Sequence, residues 1–407
     1  WGSDDGIGPA ATFAAPVGIA AHGTMLHVTS SAFEIVRTVD PATGAVTTLA
    51  GSPNQAGHID GTGAAARFSE PRGLASDGTY LYVSDEANHN IRRVNSSTAE
   101  VTTVAGKPAT RGSTDGVAGA AEFFGPRDLV NANGLLYVVD SGNRTIRTID
   151  PATGAVTTIA GKAGEIGSVD GIGLYARFRY PLEIAYTGGY LYISDYGARS
   201  VRRLDPSTTE VITFAGADWM SGSADGVGTA ARLGRPAGIT TLNSYLYVTD
   251  AENHTLRRID TATAEVTTVA GSAGVAGSAD GIGAVAQFNF PRSVTTDGVY
   301  LYIADLENDT VRRFDPDTRG VITVAGSAGQ SDYVDGIGTA ARFSNTDSIS
   351  TDGRTLYVSD EHSIRTIDIA TGAVGPLAGE GFTQGHLDGT GSVAKFNRAS
   401  GITYGHL

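Results

Sequence analysis

Charged side chains suited to binding a ligand recur in this chain at intervals of 55 residues. Arginine follows a proline in three copies of a repeated segment, and an aspartate stands at the same position in a fourth. The next position is small in five copies but carries a carboxylate in two adjacent ones. The set consists of Arg72, Arg127, Asp128, Glu183, Arg292 and Asp347. Three guanidinium groups and three carboxylates could together bind a small polar ligand.

The same residues have two other interpretations. Arg72 and Arg127 could neutralise Asp128 and Glu183 in a set of salt bridges, without any ligand. Alternatively, Asp128 and Glu183, with Asp347, could hold a divalent ion such as Ca²⁺, the metal that prefers carboxylate oxygens. Calcium takes six to eight oxygen ligands, so two carboxylates alone do not define a site for it. The sequence leaves these alternatives open.

Other catalytic arrangements are missing from the sequence. It contains no cysteine, and therefore neither a thiolate nucleophile nor a cysteine metal site. The eight histidines show no His-x-His spacing, which argues against zinc. No Gly-x-Ser-x-Gly elbow occurs either. We therefore expect no catalytic residues and favour a non-catalytic protein, with a metal-dependent enzyme as the alternative.

An Asp-Gly dipeptide marks the repeat that positions these residues. Its spacing is 55 residues six times and then 53. The aspartates are Asp5, Asp60, Asp115, Asp170, Asp225, Asp280, Asp335 and Asp388. Each copy carries four short β-runs, in the second copy at 73–75, 81–84, 91–94 and 101–104. The sequence thus predicts an all-β, seven-bladed β-propeller of four-stranded antiparallel blades.

The count of strands raises the question of how the ring closes. The first strand of the repeat occurs eight times and the other three occur seven times. We expect one propeller domain over residues 1–407, with a duplicated inner strand at the two termini, either of which could complete the first blade. In the long connection between blades, Asp115 is expected to cap a helical turn and Phe123 to plug between neighbouring blades.

Most of the recurrent charges are predicted to be structural. An aspartate ends the second strand in six copies, and an arginine begins the third strand. We expect each aspartate to cap its own turn and to pair with that arginine, because equivalent residues in equivalent blades serve the repeat itself. The pairs begin with Asp85 and Arg92 and end with Asp360 and Arg365.

The string Pro-Arg-Gly-Leu-Ala, then Leu-Tyr-Val-Ser-Asp, then Ile-Arg-Arg resembles the NHL repeat, and the pattern covers nearly the whole chain. The Asp-Gly-x-Gly connection is similar to that of bacterial and plant NHL proteins. The resemblance implies a propeller that binds proteins, RNA or small ligands. Similar propellers also serve as lyases and lactonases. Function must therefore be argued from the site.

Composition narrows the class of partner. The net charge of −14 and the pI of about 4.9 argue against a nucleic acid or an anionic membrane. The apolar runs are too short for membrane insertion. The acidic, lysine-poor, cysteine-free composition leads us to expect a secreted, periplasmic or cell-surface bacterial protein, a monomeric domain of a larger one. An exposed loop with Trp219 and Met220 would contact a protein or carbohydrate partner, or else pack onto its own blade.

Overall fold

The computed structural model describes residues 5–7, 16–23, 25–40, 43, 45–360 and 363–378. These residues form seven separate antiparallel sheets, each built from one stretch of chain. Within a sheet, the strands follow the chain outwards from the inner strand through the second and third strands to the fourth strand. The seven-bladed propeller predicted from the repeat is confirmed.

In six blades, the strand that lines the centre begins at the proline that recurs in the repeat. These inner strands are Pro16–His22, Pro71–Ser76, Pro126–Ala132, Pro181–Thr187, Pro236–Leu242, Pro291–Thr296 and Ile349–Thr351. The second strands are Met25–Ser30, Tyr80–Asp85, Leu135–Asp140, Tyr190–Asp195, Tyr245–Asp250, Leu301–Asp305 and Thr355–Asp360.

The outer half of each blade repeats in the same way. The third strands are Ile35–Val39, Asn90–Asn95, Thr145–Asp150, Ser200–Leu204, Thr255–Asp260, Thr310–Phe314 and Ser363–Asp368. The fourth strands are Ala45–Gly51, Glu100–Ala105, Ala155–Ala160, Glu210–Gly216, Glu265–Ala270, Gly320–Ala325 and Ala373–Ala378. The β-branched and aromatic residues of these strands bury both faces of each blade, as strands between packed blades must.

A fifth strand corrects the prediction of four-stranded blades. The Gly-x pair after each recurrent Asp forms a two-residue edge strand against the fourth strand, for example Gly116 with Val156. The edge strands are Gly6–Ile7, Gly61–Thr62, Gly116–Val117, Gly171–Ile172, Gly226–Val227, Gly281–Ile282 and Gly336–Ile337. A strand of two residues is too short to show an alternation of apolar and polar residues. The sequence pattern therefore could not predict it.

One turn of 3-10 helix follows six of the edge strands. The sequence predicted a helical turn in this connection between blades. These helices are Gly63–Ala65, Ala118–Ala120, Gly173–Tyr175, Gly228–Ala230, Gly283–Val285 and Gly338–Ala340, and a further one is Leu306–Asn308. Among the described residues no helix is long and apolar enough to cross a membrane. The chain then passes between blades, where Phe123 is fully buried against residues of the second and third blades, as expected.

The role predicted for Asp115 was wrong. The turn of helix at 118–120 has no side-chain cap. Instead, the Asp115 carboxylate accepts hydrogen bonds from Arg147 at 2.7 Å and from the backbone N–H and hydroxyl of Thr158 at 2.9 and 2.8 Å. Because Arg147 and Thr158 belong to the third and fourth strands, the aspartate fastens the edge strand to its own blade.

The predicted pairing of aspartate with arginine is confirmed in the six blades that carry this aspartate. Arg92 is fully buried and donates to Asp85 at 3.0 Å and to Asp60 at 2.9 Å. It also donates to the carbonyl oxygens of Arg67 and Ile59. Asp85 further accepts from Asn88 at 2.8 Å, which closes its own turn. A buried guanidinium is tolerated because its two terminal nitrogens find acceptors beside the edge strand, in the connection and on the second strand, although Nε has no hydrogen-bond partner among the described residues.

The ring closes on the N-terminal copy of the inner strand. Pro16–His22 pairs with the second strand of the first blade, so residues 16–51 complete that blade. Leu26 and Phe33 of this blade share one apolar cluster with Tyr357 and Leu377 of the seventh. The C-terminal copy predicted at 388–403 lies outside the described residues, and the single-domain assignment for 1–407 stays a prediction.

Candidate functional site

Five of the six residues predicted to bind a ligand lie at one axial end of the propeller. The register places Pro126 opposite Asp140 and Pro291 opposite Asp305, so each inner strand begins where its second strand ends. Arg72, Arg127, Asp128, Glu183 and Arg292 occupy the first residues of these inner strands. Asp347, two residues before an inner strand, pairs with Arg292 and joins them. We call this end of the central channel the channel mouth.

Adjacent inner strands approach most closely where the repeat has glycine. A Cβ atom on Gly73 would lie 2.7 Å from the carbonyl oxygen of Arg127 in the next blade. The hydroxyl of Ser84 accepts the N–H of Gly73 at 2.7 Å and donates to the same Arg127 carbonyl at 3.0 Å. In the same way, the hydroxyl of Thr29 donates a hydrogen bond to the carbonyl oxygen of Arg72, at 2.6 Å. Glycine and a hydroxyl thus act together to join two blades.

The two carboxylates take over this joining function in the third and fourth blades. Asp128 accepts the N–H of Ile184 at 3.0 Å, in the next blade, and that of Leu129 at 2.9 Å. Glu183 accepts the N–H of Ile239 at 3.3 Å, again in the next blade. Both side chains therefore bind backbone across a blade boundary.

The arginines of the channel mouth have partners other than those predicted. In the salt-bridge alternative Arg72 and Arg127 would neutralise Asp128 and Glu183, whereas Arg72 forms its ion pair with Glu86. Arg127 donates to the hydroxyl of Tyr180 at 2.7 Å. Arg292 pairs with Asp347, with 3.2 Å between Nε and Oδ1. Within the described residues, Arg127 has no carboxylate within salt-bridge distance.

Two tyrosines at the channel mouth were missed by sequence reasoning. The rings of Tyr180 and Tyr196 lie 6.5 Å apart in an edge-to-face arrangement. Arg235 lies over Tyr196 at 5.5 Å and Arg292 at 6.0 Å. Tyr180 immediately precedes the proline and Tyr196 immediately follows the aspartate of the fourth copy. Comparing those two positions among the copies would have found both, since their other occupants are mostly smaller or charged.

Burial governs the electrostatics of the two carboxylates. It raises the pKa of Asp128 to about 6, against the opposing effect of its hydrogen bonds from Ile184 and Leu129 and of the Arg127 charge. Burial, together with the nearby Asp128 charge, raises the pKa of Glu183 to about 7. Glu183 is consequently protonated in a large fraction of molecules near neutral pH.

The channel mouth does not fit a metal ion. Within the described residues, no three His, Asp or Glu side chains come together as a metal-binding group would. Asp128 uses one oxygen for each of its two backbone N–H donors. Calcium needs six or more oxygens that point at one centre, and this carboxylate pair does not supply them.

The loop with Trp219 and Met220 stands out from the surface. Trp219 is 65% exposed and Met220 is 53% exposed. The guanidinium of Arg179 lies 5.0 Å from the Trp219 ring and makes two hydrogen bonds to Asp218, at 2.5 and 2.9 Å. Arg179 directly precedes Tyr180 in the sequence, so this loop continues the aromatic and arginine-rich surface of the channel mouth towards the periphery.

Comparison with known proteins adds the family context. A family profile described as a repeat of unknown function (DUF6923) matches residues 36–181. The chain is 30% identical to SUPPRESSOR OF QUENCHING 1 of Arabidopsis thaliana, over 65% of this chain and 27% of that protein. It is 26% identical to NHL repeat-containing protein 2 of Bos taurus, over 70% of this chain and 44% of that one. The chain therefore spans less than half the length of either relative.

A solved structure shares the fold at low identity. Virginiamycin B lyase of Staphylococcus aureus matches with a TM-score of 0.57 and 13% identity, over 85% of this chain and 92% of the lyase. At this identity the likeness concerns the fold alone.

Proposed function

Because the chain is a β-propeller of the NHL-repeat type, we propose that it is a non-catalytic recognition module that binds a small polar ligand at the channel mouth. The observation that carries the proposal is the convergence there of side chains from several blades. Arg72, Arg127, Tyr180, Arg292 and Asp347 all come from different stretches of chain. Only the closed ring brings them together.

Departure from the repeat supports this choice of face. The buried arginine recurs in all seven blades and its buried aspartate in six, and both are accounted for by blade stability. By contrast, Tyr180, Tyr196 and Arg127 make contacts that are not reproduced among the described residues of the other blades. A few polar groups placed among aromatic side chains fix the orientation of a ligand in small-molecule sites.

The enzyme alternative receives less support. Its metal would have to bind at Asp128 and Glu183, whose carboxylates are committed to backbone N–H groups. A protein partner is a second candidate, favoured by the exposure of Trp219 and Met220. Aromatic and methionine side chains are common at protein interfaces.

The test is a screen of neutral, cationic and anionic small molecules by thermal shift, followed by calorimetry. Tyr180→Ala should abolish binding of any ligand that raises the melting temperature. Tyr175→Ala is the matched control, because Tyr175 is 80% exposed on a 3-10 helix beside the edge strand. A ligand that binds both variants equally would show that the channel mouth is not the binding site.

A further inference from the structure

Two neighbouring arginines at the channel mouth are held side by side by the backbone. The carbonyl of Arg127 packs against Gly73, the residue after Arg72, and Ser84 fastens it there. The two arginines therefore lie at the start of adjacent inner strands that are in close backbone contact. The two guanidinium groups also interact electrostatically. Burial lowers the pKa of Arg72, and the positive charge of Arg127 lowers it as well.

Much of the donor capacity of this pair is unused. Arg72 is 25% exposed and meets Glu86 through Nε. Its two terminal nitrogens have no hydrogen-bond partner within the part of the chain that the structure describes. Arg127 contributes one bond, to the Tyr180 hydroxyl, and that tyrosine is itself 42% exposed. A guanidinium has five N–H donors in a planar fork that matches the oxygens of a carboxylate or a phosphate.

Four of the nearby carboxylates oppose an anion less than their number implies, while Glu70 also places a negative charge near Arg72. Asp128 directs its two oxygens to backbone N–H groups. Asp347 is paired with Arg292, and Glu86 with Arg72. Glu183 has its pKa raised to about 7 by burial, so that part of its charge is absent at neutral pH.

Resting on the proposed function, we infer that the ligand of the channel mouth is a small oxyanion, a phosphate- or carboxylate-bearing molecule held between Arg72 and Arg127 with Tyr180 as a third donor. Charge-assisted hydrogen bonds of this kind are about twice as strong as neutral ones. The same arrangement disfavours a neutral sugar or a cation, which would leave the Arg127 guanidinium without an anionic partner.

The test uses inorganic phosphate and citrate as probes, titrated by calorimetry at low and high salt. The wild type should bind at least one of them, and the choice distinguishes a phosphoryl from a carboxylate ligand. Arg127→Gln and Arg72→Gln should each weaken binding by about tenfold or more. Arg127→Lys should recover part of the affinity, because it keeps the charge but loses the planar fork.

Arg258→Gln is the matched control, since Arg258 stacks on Tyr245 at 4.5 Å, at the opposite axial end. Its affinity should equal that of the wild type. Failure of both probes to bind the wild type, or unchanged affinity in Arg127→Gln and Arg72→Gln, would overturn the oxyanion assignment. If a neutral or cationic compound binds instead and Tyr180→Ala abolishes its binding, the assignment is wrong while the proposed function stands.

Discussion

The hydroxyl of Ser84 donates a 3.0 Å hydrogen bond to the carbonyl oxygen of Arg127, in the neighbouring blade. This bond crosses the boundary between blades at the narrowest part of the ring. It is available only because Gly73 leaves room for the carbonyl. The contact between these two inner strands therefore depends on the absence of a side chain at Gly73 as well as on the Ser84 hydrogen bond.

Replacing that glycine should destabilise the ring. In Gly73→Ala the new Cβ would lie 2.7 Å from the Arg127 carbonyl oxygen and 2.9 Å from a Leu129 methyl group. Neither backbone nor buried leucine can retreat without cost, so we expect a loss of about 1–3 kcal/mol in the free energy of unfolding. Urea denaturation measures it.

The control lies at the same position of another blade. Ser293 already carries a side chain there, so Ser293→Ala should change stability much less. Equal losses in the two variants would mean that the close approach at Gly73 is relieved elsewhere in the blade.

The sequence predicted the architecture well because the repeat expresses it seven times. Each blade needs buried strands and turn residues, six of them add the Asp–Arg pair, and these features recur at nearly fixed spacing. Apart from the short edge strand, what the sequence could not predict depends largely on contacts between copies. The Gly73 approach to Arg127, and the bonds from Ile184 to Asp128 and from Ile239 to Glu183, join different blades.

The channel mouth was predicted only in part for the same reason. Its charged residues were found because they depart from a repeat position that is otherwise small or polar. Tyr180 and Tyr196 were missed because they flank the marker residues of the repeat, where variation is expected. Asp115 was misassigned because a turn followed by a helix suggests a cap, whereas its acceptor role depends on Arg147, 32 residues away.

The buried arginine network should dominate blade stability. Arg257 is fully buried, pairs with Asp225 and Asp250 at 3.0 and 3.2 Å, and donates to two carbonyl oxygens. Arg257→Met would leave these carboxylates without their partner, so we expect a loss of about 3–5 kcal/mol. Urea denaturation again measures the effect.

The adjacent residue in the same strand is the control. Arg258 is only half-buried and stacks on Tyr245, so Arg258→Met should cost less than about 1 kcal/mol. A loss below 1 kcal/mol in Arg257→Met would show that apolar packing compensates for the network.

Glu183 should make stability depend on pH. Its pKa is about 7 in the folded protein against an ordinary value of 4.5, with burial as the main cause. The folded state therefore holds this proton more tightly, and stability falls as the pH rises from about 4.5 to 7. Glu183→Gln keeps an oxygen for the N–H of Ile239 but carries no charge. It should gain on the order of 1 kcal/mol over the wild type at pH 8 and little at pH 5.

The comparison is made as a difference between variant and wild type at each pH, because other buried carboxylates titrate in the same range. Those facing Glu183 are Asp128 and Asp347, with Arg292 as the nearby cation. Glu100→Gln, on the exposed start of a fourth strand, controls for the loss of one negative charge. A difference that does not change between pH 5 and 8 would contradict the assignment.

The Trp219 loop should contribute little to stability, which distinguishes an available contact surface from a loop packed onto its own blade. Trp219 is 65% exposed, and its only ring contact among the described residues is the Arg179 guanidinium. Trp219→Ala should therefore lower the free energy of unfolding by at most about 1 kcal/mol. Phe214→Ala, in the fourth strand that leads to this loop, removes a ring that is 3% exposed and should cost about 3–5 kcal/mol. If urea denaturation gave similar losses for the two variants, the loop would be part of the blade, and its exposure could not support a partner-binding role.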